Sequence, residues 1–251
     1  METWFERLKA ALDQKQRIVL ATVIRGPAYI GNKMMVYADK TTYGTLGSHT
    51  LDHLVMGDAI QTIWRSDAHL HTYSLIGPNS AQQDFEVFIE GYAPSPELLI
   101  IGASHIAIVL TTFAKQLYYQ VTIIDPRAAF ATRDRFLDAD EILVAWPDDV
   151  FKERELTPAT AIVILTHDPK IDDPALQVAL THPVGYIGVL GGRKTNMQRY
   201  ERLKRAGMTD EQLQRIHAPV GLAIGAVTPE EIALAIMAEI IAVRRGVGNE
   251  Q

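Results

Sequence analysis

The sequence predicts an α/β chain in two parts: a smaller N-terminal α+β domain over residues 1–93 and a C-terminal domain over residues 97–251, built on a doubly wound parallel sheet. Three observations carry this. After residue 97, short apolar runs alternate with helical patterns, as in a parallel sheet covered on both faces. Before residue 93 the runs alternate with period two around one long helix, the pattern of a half-buried sheet. Between them "GYAPSPE" (91–97) sets two prolines, a glycine and a serine in a row, which punctuates the chain.

Taken in order, "METWFERLKAALDQKQ" is an amphipathic helical pattern with acidic residues early. "RIVLATVI" and "KMMVYAD" read as strands, and "TTYGTLG" as a short strand ending in a turn. "HTLDHLVMGDAIQTIWRS" (49–66) reads as a helix, followed by the strands "AHLHTYSLI" and "DFEVFIEGY". Beyond the linker come "ELLIIG", then a helix with Ile106, Val109, Leu110, Phe113, Ala114 and Leu117 on one face. The strands "YQVTIID", "EILVA", "TAIVILTHD" and "GYIGVLGG" follow. The last helix is marked at both ends. Thr228 and Glu231 have capping-box spacing, Pro229 takes the first helical position, and Arg244, Arg245 and Gly246 suit the C-terminal end.

Composition bounds the function. At 251 residues, with 47% hydrophobic and 22% charged, the chain can bury a substantial core. A net charge of -6 argues against a general nucleic-acid surface. The longest apolar run, "IALAIMAEIIAV", is interrupted by Glu239 and falls short of the ~20 residues that span a bilayer. With no signal-peptide pattern visible either, the expectation is a cytoplasmic protein without a membrane partner. There is no cysteine, which excludes disulfides, thiolate metal sites and cysteine nucleophiles.

The chemistry gathers at predicted strand ends. "LLIIGASHIA" opens like a dinucleotide-binding turn, with Gly102, Ser104 and Ala107 at the three fingerprint positions and serine in place of the second glycine. Asp125 stands roughly 20 residues on, where an acid can hydrogen-bond a ribose hydroxyl. Arg127 two residues later suits an additional phosphate. The turn by itself fits a nucleotide seat and a plain packing turn equally. Two further strand ends strengthen the first reading: Thr166, His167 and Asp168 after one, and Gly191, Gly192, Arg193 and Lys194 after another. Cations at a helix N-terminus oppose the macrodipole, so Arg193 and Lys194 point to an anion to be bound; the bland alternative is a solvated or carboxylate-paired position. His105 and His167 lie beside these polar residues and are candidates for ligand contact or proton transfer, with loop capping as the alternative. His49 and His53 are spaced i, i+4, but no glutamate follows His49 as a metalloprotease motif requires, and His69 and His71 share a strand face without further ligands. No metal site is expected, and no catalytic residue stands out.

"IIGASHIA", "IDPRAAFATRDRF", "THDPKIDDPALQVAL", "GYIGVLGGRKTNMQRYERLKRAG" and "HAPVGLAIGAVTPEEIALAIMAEIIAVRRG" occur in an order that resembles the XdhC/CoxI family of xanthine dehydrogenase accessory proteins. The resemblance covers nearly all of residues 98–246, and more loosely "VLATVI", "GPAYIGNKMMV" and "YGTLG". It implies a C-terminal Rossmann-like domain behind an XdhC/CoxI domain, and a role in maturing molybdenum hydroxylases such as xanthine dehydrogenase. It further implies binding of molybdenum cofactor (molybdopterin), delivery to the apoenzyme, and a homodimer. The chain departs from the family pattern in "GTLGSHTLDH", where Ser48 and His49 replace a turn ending in cysteine. It departs again in "GASHIA", in "LGGR", at Ala223 in place of aspartate, and in "GPNSAQQDFEVFIE" in place of a Cys-Gly-Gly element.

Three functions follow as expectations. The first is a binding and delivery factor for a molybdenum hydroxylase. The second is an NAD(P)-dependent oxidoreductase with Asp125 on the ribose and His167 as acid or base. The third is a family member acting through protein contacts alone. For the first two, the expected cofactor-binding set is Gly102, Ser104, His105, Asp125, Arg127, Thr166, His167, Asp168, Gly191, Gly192 and Arg193.

Overall fold

The computed structural model describes residues 3–14, 16–63, 67–76, 81–93 and 95–247. The chain divides into two compact units, split after residue 94.

The N-terminal unit opens with helix α1 (Trp4–Asp13), held by a reciprocal capping box between Thr3 and Glu6. Strands β1 (Ile18–Arg25), β2 (Lys33–Tyr37), β3 (Thr42–Gly44), β4 (Ala68–Ile76) and β5 (Gln82–Tyr92) form an antiparallel sheet in the order β3-β2-β1-β5-β4. Helix α2 (His49–Thr62) lies between β3 and β4 in the chain. Because side chains alternate across a strand, Val19, Ala21 and Val23 of β1 pack with Leu51, Val55 and Ala59 of α2. Ile18 turns to the other face with Ala11 of α1 and Met35. Residues 64–66 of the helix expected over 49–66 lie outside the described residues. So do residues 1, 2 and 15 of the first predicted helix, residues 77–80, and residue 94 of the linker.

The C-terminal unit contains β6 (Glu97–Ile101), α3 (His105–Gln116), β7 (Gln120–Ile124), β8 (Glu141–Leu143), α4 (Pro147–Glu153), β9 (Thr160–Ile164), α5 (Pro169–Leu180), β10 (Tyr186–Val189), α6 (Arg193–Arg205), α7 (Asp210–Gln214), β11 (Ile216–His217) and α8 (Pro229–Arg245). The six strands are parallel and ordered β11-β10-β9-β6-β7-β8. Taken from the opposite edge, this is the order of a dinucleotide-binding Rossmann sheet, with the strand order reversing between β6 and β9. Alternate residues feed two cores. Leu98, Ile100, Val121 and Val163 pack under α3 and α8, while Leu99, Ile101, Ile162 and Ile164 pack with Phe151 of α4 and Leu176 of α5. A sheet buried on both faces needs apolar residues at every position, which is why these strands read as continuous runs.

On α3 the expected face packs inward except for Leu117, and Ala107 and Thr111 join it. Its buried residues are Ala107, Leu110, Thr111 and Ala114; Ile106, Val109 and Phe113 flank this stripe, and Leu117 is the exposed C-cap. The capping box of α8, Thr228 with Glu231, forms as expected, and Gly246 closes the helix in a left-handed conformation. The sequence predicts neither α7 nor β11. A two-residue strand carries no periodicity, and its pairing with β10 is set by the sheet. Among the described residues no helix is long and apolar enough to cross a membrane.

Candidate functional site

In a parallel sheet all carboxyl ends emerge on one side, and ligands gather where the strand order reverses. Here that point lies between β6 and β9, with β7 and β10 as the next neighbours. The topology therefore brings the turns after these four strands, which hold every sequence-predicted site residue, to one end of the sheet.

After β6 the chain turns at Gly102, whose φ is +99°. Its amide donates to Ile124 O at 2.9 Å, and a Cβ there would lie 2.6 Å from Thr166 Cγ2. Glycine is required on both counts. Ser104 is the N-cap of α3: its Oγ accepts from the Ala107 amide at 3.3 Å, and the hydroxyl proton stays available to a further acceptor. The amides of His105 and Ile106 have no hydrogen-bond acceptor among the described residues, as expected of a first helical turn. The His105 side chain is exposed.

Asp125 is fully buried and already engaged. Its carboxylate accepts from the Ala103 amide at 2.9 Å, the Arg127 amide at 2.9 Å, and Arg127 Nε and Nη2 at 2.9 and 2.8 Å. Burial raises this carboxyl, but the hydrogen bonds from Arg127 and the two amides outweigh it and hold the group below the usual carboxylate range. Asp125 thus ties the β6 turn to the β7 end. Arg127, stacked 4.7 Å from the Phe130 ring centroid, covers it.

After β9, Thr166 Oγ1 donates to Asp172 of α5 and accepts from the Asp168 amide at 3.1 Å. Asp168 caps α5 by accepting from the Lys170 amide at 3.0 Å. His167, between them, is exposed with φ +66°, a left-handed conformation that histidine tolerates better than most residues. After β10, Gly191 and Gly192 lead into α6, and Gly192 offers no side-chain cap. Arg193 and Lys194 occupy its first turn, exposed, with no ion-pair partner among the described residues.

A buried polar cluster beneath these turns escapes the sequence reading. Arg199 of α6 donates to Asp172 Oδ2 at 3.1 Å, to Leu190 O at 3.3 Å and to Asn196 Oδ1, and Asn196 donates to Gly191 O at 2.7 Å. The Asp172 and Arg199 side chains are each 2% exposed. Asn196, Arg199 and Leu203 are the buried residues of α6, an i, i+3, i+7 stripe in which two members are polar. Polar residues on an inward helical stripe were the available signal.

Residues 98–240 match the family model for the XdhC Rossmann domain, and residues 11–74 match that for the XdhC and CoxI family. The chain belongs to the XdhC/CoxI family. Among the relatives of this XdhC-type chain is a Bacillus subtilis (strain 168) protein named as a probable xanthine dehydrogenase subunit, 32% identical over 66% of this chain and 48% of its own length. The Escherichia coli (strain K12) molybdenum cofactor insertion chaperone PaoD is 30% identical over 64% of this chain and 43% of its own. YqeB of the same organism, with no function in its name, is 27% identical over 84% of this chain and 40% of its own. The XdhC-type chain therefore spans about half or less of each of these curated relatives. A solved Bacillus halodurans structure described as a xanthine dehydrogenase aligns over 97% of this chain and 96% of its own, with TM-score 0.55 and 22% identity, a likeness of fold.

Proposed function

We propose that this chain is an accessory factor of a molybdenum hydroxylase of the xanthine dehydrogenase kind. Its C-terminal unit binds a molybdopterin-type or dinucleotide ligand across the carboxyl ends of β6, β9 and β10 and passes cofactor to the enzyme. The names of the B. subtilis and PaoD relatives support the biological setting. One observation carries the binding role: Arg193 and Lys194 stand exposed and unpaired, among the described residues, in the first turn of α6. Two cations there oppose the macrodipole by about 0.3–1 kcal/mol each, a cost that a bound anion reverses.

The residues present fit a phosphate or pyrophosphate. Gly191 and Gly192 allow close backbone approach, the first-turn amides of α3 and α6 supply donors, and Arg193 supplies charge. Ser104 adds a hydroxyl donor where the fingerprint has glycine. When bound, molybdenum cofactor supplies the metal and its dithiolene; without cysteine, this chain holds the ligand through phosphate and ring. For Asp125 to meet a ribose hydroxyl, Arg127 must first release a carboxylate oxygen. That ordering disfavours the NAD(P) oxidoreductase reading, which the strand order alone would allow.

Native mass spectrometry and absorbance of the purified chain, with molybdopterin or NAD(P) added, test the reading directly. The expected result is retention of molybdopterin; retention of NAD(P) alone would favour the oxidoreductase, and retention of neither would favour action through protein contacts. Arg193→Ala should weaken binding of the retained ligand by about 1.5–3 kcal/mol through loss of a charge-assisted phosphate contact. An unchanged dissociation constant would remove Arg193 from the site. Ser104→Gly should preserve binding, since glycine costs an N-cap only a few tenths of a kcal/mol. Ser104→Val adds bulk and removes both cap and donor, and should abolish binding in calorimetric titration. Parent-like titrations for both would make this turn purely structural.

A further inference from the structure

Outside the residues assigned so far, the C-terminal unit has a cleft of about 540 Å³ over the carboxyl ends of β10 and β11, walled by Leu190, residues 217–226, and Ile232, Ala235 and Glu239 of α8. Its size falls within the few hundred to ~1,000 Å³ of small-molecule sites. Its walls are mainly apolar, including Val220, Leu222, Ala223 and Ile232, yet a carboxylate lines it.

That carboxylate is Glu239 of α8, whose side chain is 7% exposed. Its Oε2 accepts from Tyr186 Oη at 2.5 Å and from the Gly221 amide at 2.9 Å. Its Oε1 has no hydrogen bond among the described residues, and the nearest cationic candidate, His217 Nδ1, stands 3.6 Å away. Burial raises this carboxyl, but His217, Tyr186 and the Gly221 amide outweigh it and hold the group below the usual glutamate range, so it is ionised at neutral pH. The His217 ring is stacked on Tyr186, centroids 4.7 Å apart. An ionised, nearly buried oxygen that lines an apolar cleft, with His217 Nδ1 beyond hydrogen-bond distance at 3.6 Å, has room to accept from N–H donors on the flat edge of a ligand.

We propose that this cleft seats a 2-amino-4-oxo heterocycle, the ring chemistry shared by pterins and guanine, with Glu239 Oε1 accepting from its exocyclic amine and adjacent ring N–H. The placement fits a two-part ligand. Leu190 lines the cleft, and the next residues are Gly191, Gly192 and Arg193, so a phosphate at the α6 N-terminus and a ring in the cleft lie on adjoining surfaces. In the Rossmann order the two halves of a ligand lie on either side of the switch point, and β10 and β11 are on the side away from β7. The choice of ring class rests on the function proposed above; the acceptor and the cleft do not.

The test compares rings that differ at the amine. Full-length protein is titrated, by fluorescence quenching, with pterin against lumazine, in which an oxo group replaces the 2-amine, and, by calorimetry, with GMP against IMP, which lacks the amine. Wild type should prefer the amino member of one pair by tenfold or more, about the loss of a hydrogen bond to a charged group. The pair that discriminates identifies pterin or guanine as the source. In Glu239→Gln, which keeps an oxygen for Tyr186 and Gly221 but turns a donor toward the ligand, the preference should collapse to less than about threefold. Ala223→Trp fills the cleft from its exposed loop, leaves Glu239 intact, and should weaken every ring that binds; it decides the matter if Glu239→Gln melts early. Equal binding within both pairs, or a preference that survives Glu239→Gln and Ala223→Trp, overturns the proposal. If ring selectivity is absent while Arg193-dependent ligand binding persists, the cleft fails and the accessory role stands. Ring selectivity without any Arg193-dependent binding supports the cleft and removes the phosphate seat at α6.

Discussion

Replacing Asp172 by alanine should destabilise the C-terminal unit by about 3–5 kcal/mol, the usual consequence of stranding one member of a buried ion pair. The Arg199 guanidinium would keep Asn196 and Leu190 O as partners but lose its counter-charge in a site only 2% exposed. Thr166 Oγ1 would lose its acceptor as well. Burial already pushes the Asp172 carboxyl up, and the Thr166 hydroxyl and Arg199 offset this only in part, so the pair is held in place at a desolvation cost. Removing both charges, as Asp172→Leu with Arg199→Met, should therefore recover most of the lost stability. Native-state hydrogen exchange of the β9 and β10 amides reads the effect locally; protection equal to the parent's in the alanine variant would show that the pair is not structurally required. Because Asn196 and Arg199 also hold Gly191 O and Leu190 O, the alanine variant should bind phosphate-bearing ligand more weakly than its loss of folded protein explains.

Gly102→Ala is the second large effect. A side chain at φ +99° costs roughly 1–2 kcal/mol, and forcing it against packed neighbours typically costs about 1–3 kcal/mol more. The Cβ would meet Thr166 Cγ2 at 2.6 Å and the Thr166 amide nitrogen at 3.1 Å. A thermal melt of the full chain should show the loss. Adding Thr166→Ser removes the methyl but keeps the hydroxyl that donates to Asp172, so it should restore part of the steric share and none of the conformational share. If the double variant melts no higher than Gly102→Ala, contact with Thr166 Cγ2 is not the source of the strain.

Features decided by neighbours in the chain are legible in the sequence. The β6–turn–α3 unit is one, because a buried strand, a glycine turn and a capped helix fit within twenty residues. The Thr228–Glu231 capping box is another, since both partners sit in one helical turn. Ser104 reads as a phosphate contact in place of glycine, and its position has an additional reason, the N-cap of α3. Asp125 reads as a partner for a ribose hydroxyl; its own partners Ala103 and Arg127 are brought together only when β6 and β7 pair. Glu239 appears in the sequence only as an interruption of an apolar run, since nothing local distinguishes a solvated glutamate from one enclosed by Tyr186 and Gly221, 53 and 18 residues away in the chain.

Periodicity, turn chemistry and capping act over a few residues, so the alternation of elements and the small and polar residues at the ends of β6, β7, β9 and β10 can be read before any packing is known. The strand order that brings those ends together is set by packing between distant segments. The same packing sets the pairing of Asp172 with Arg199, which supports the turns after β9 and β10, and the enclosure of Glu239 in the cleft over β10 and β11. The reason is physical: a charge is cheap in water wherever the chain carries it, and its burial and partners exist only once distant segments have packed around it.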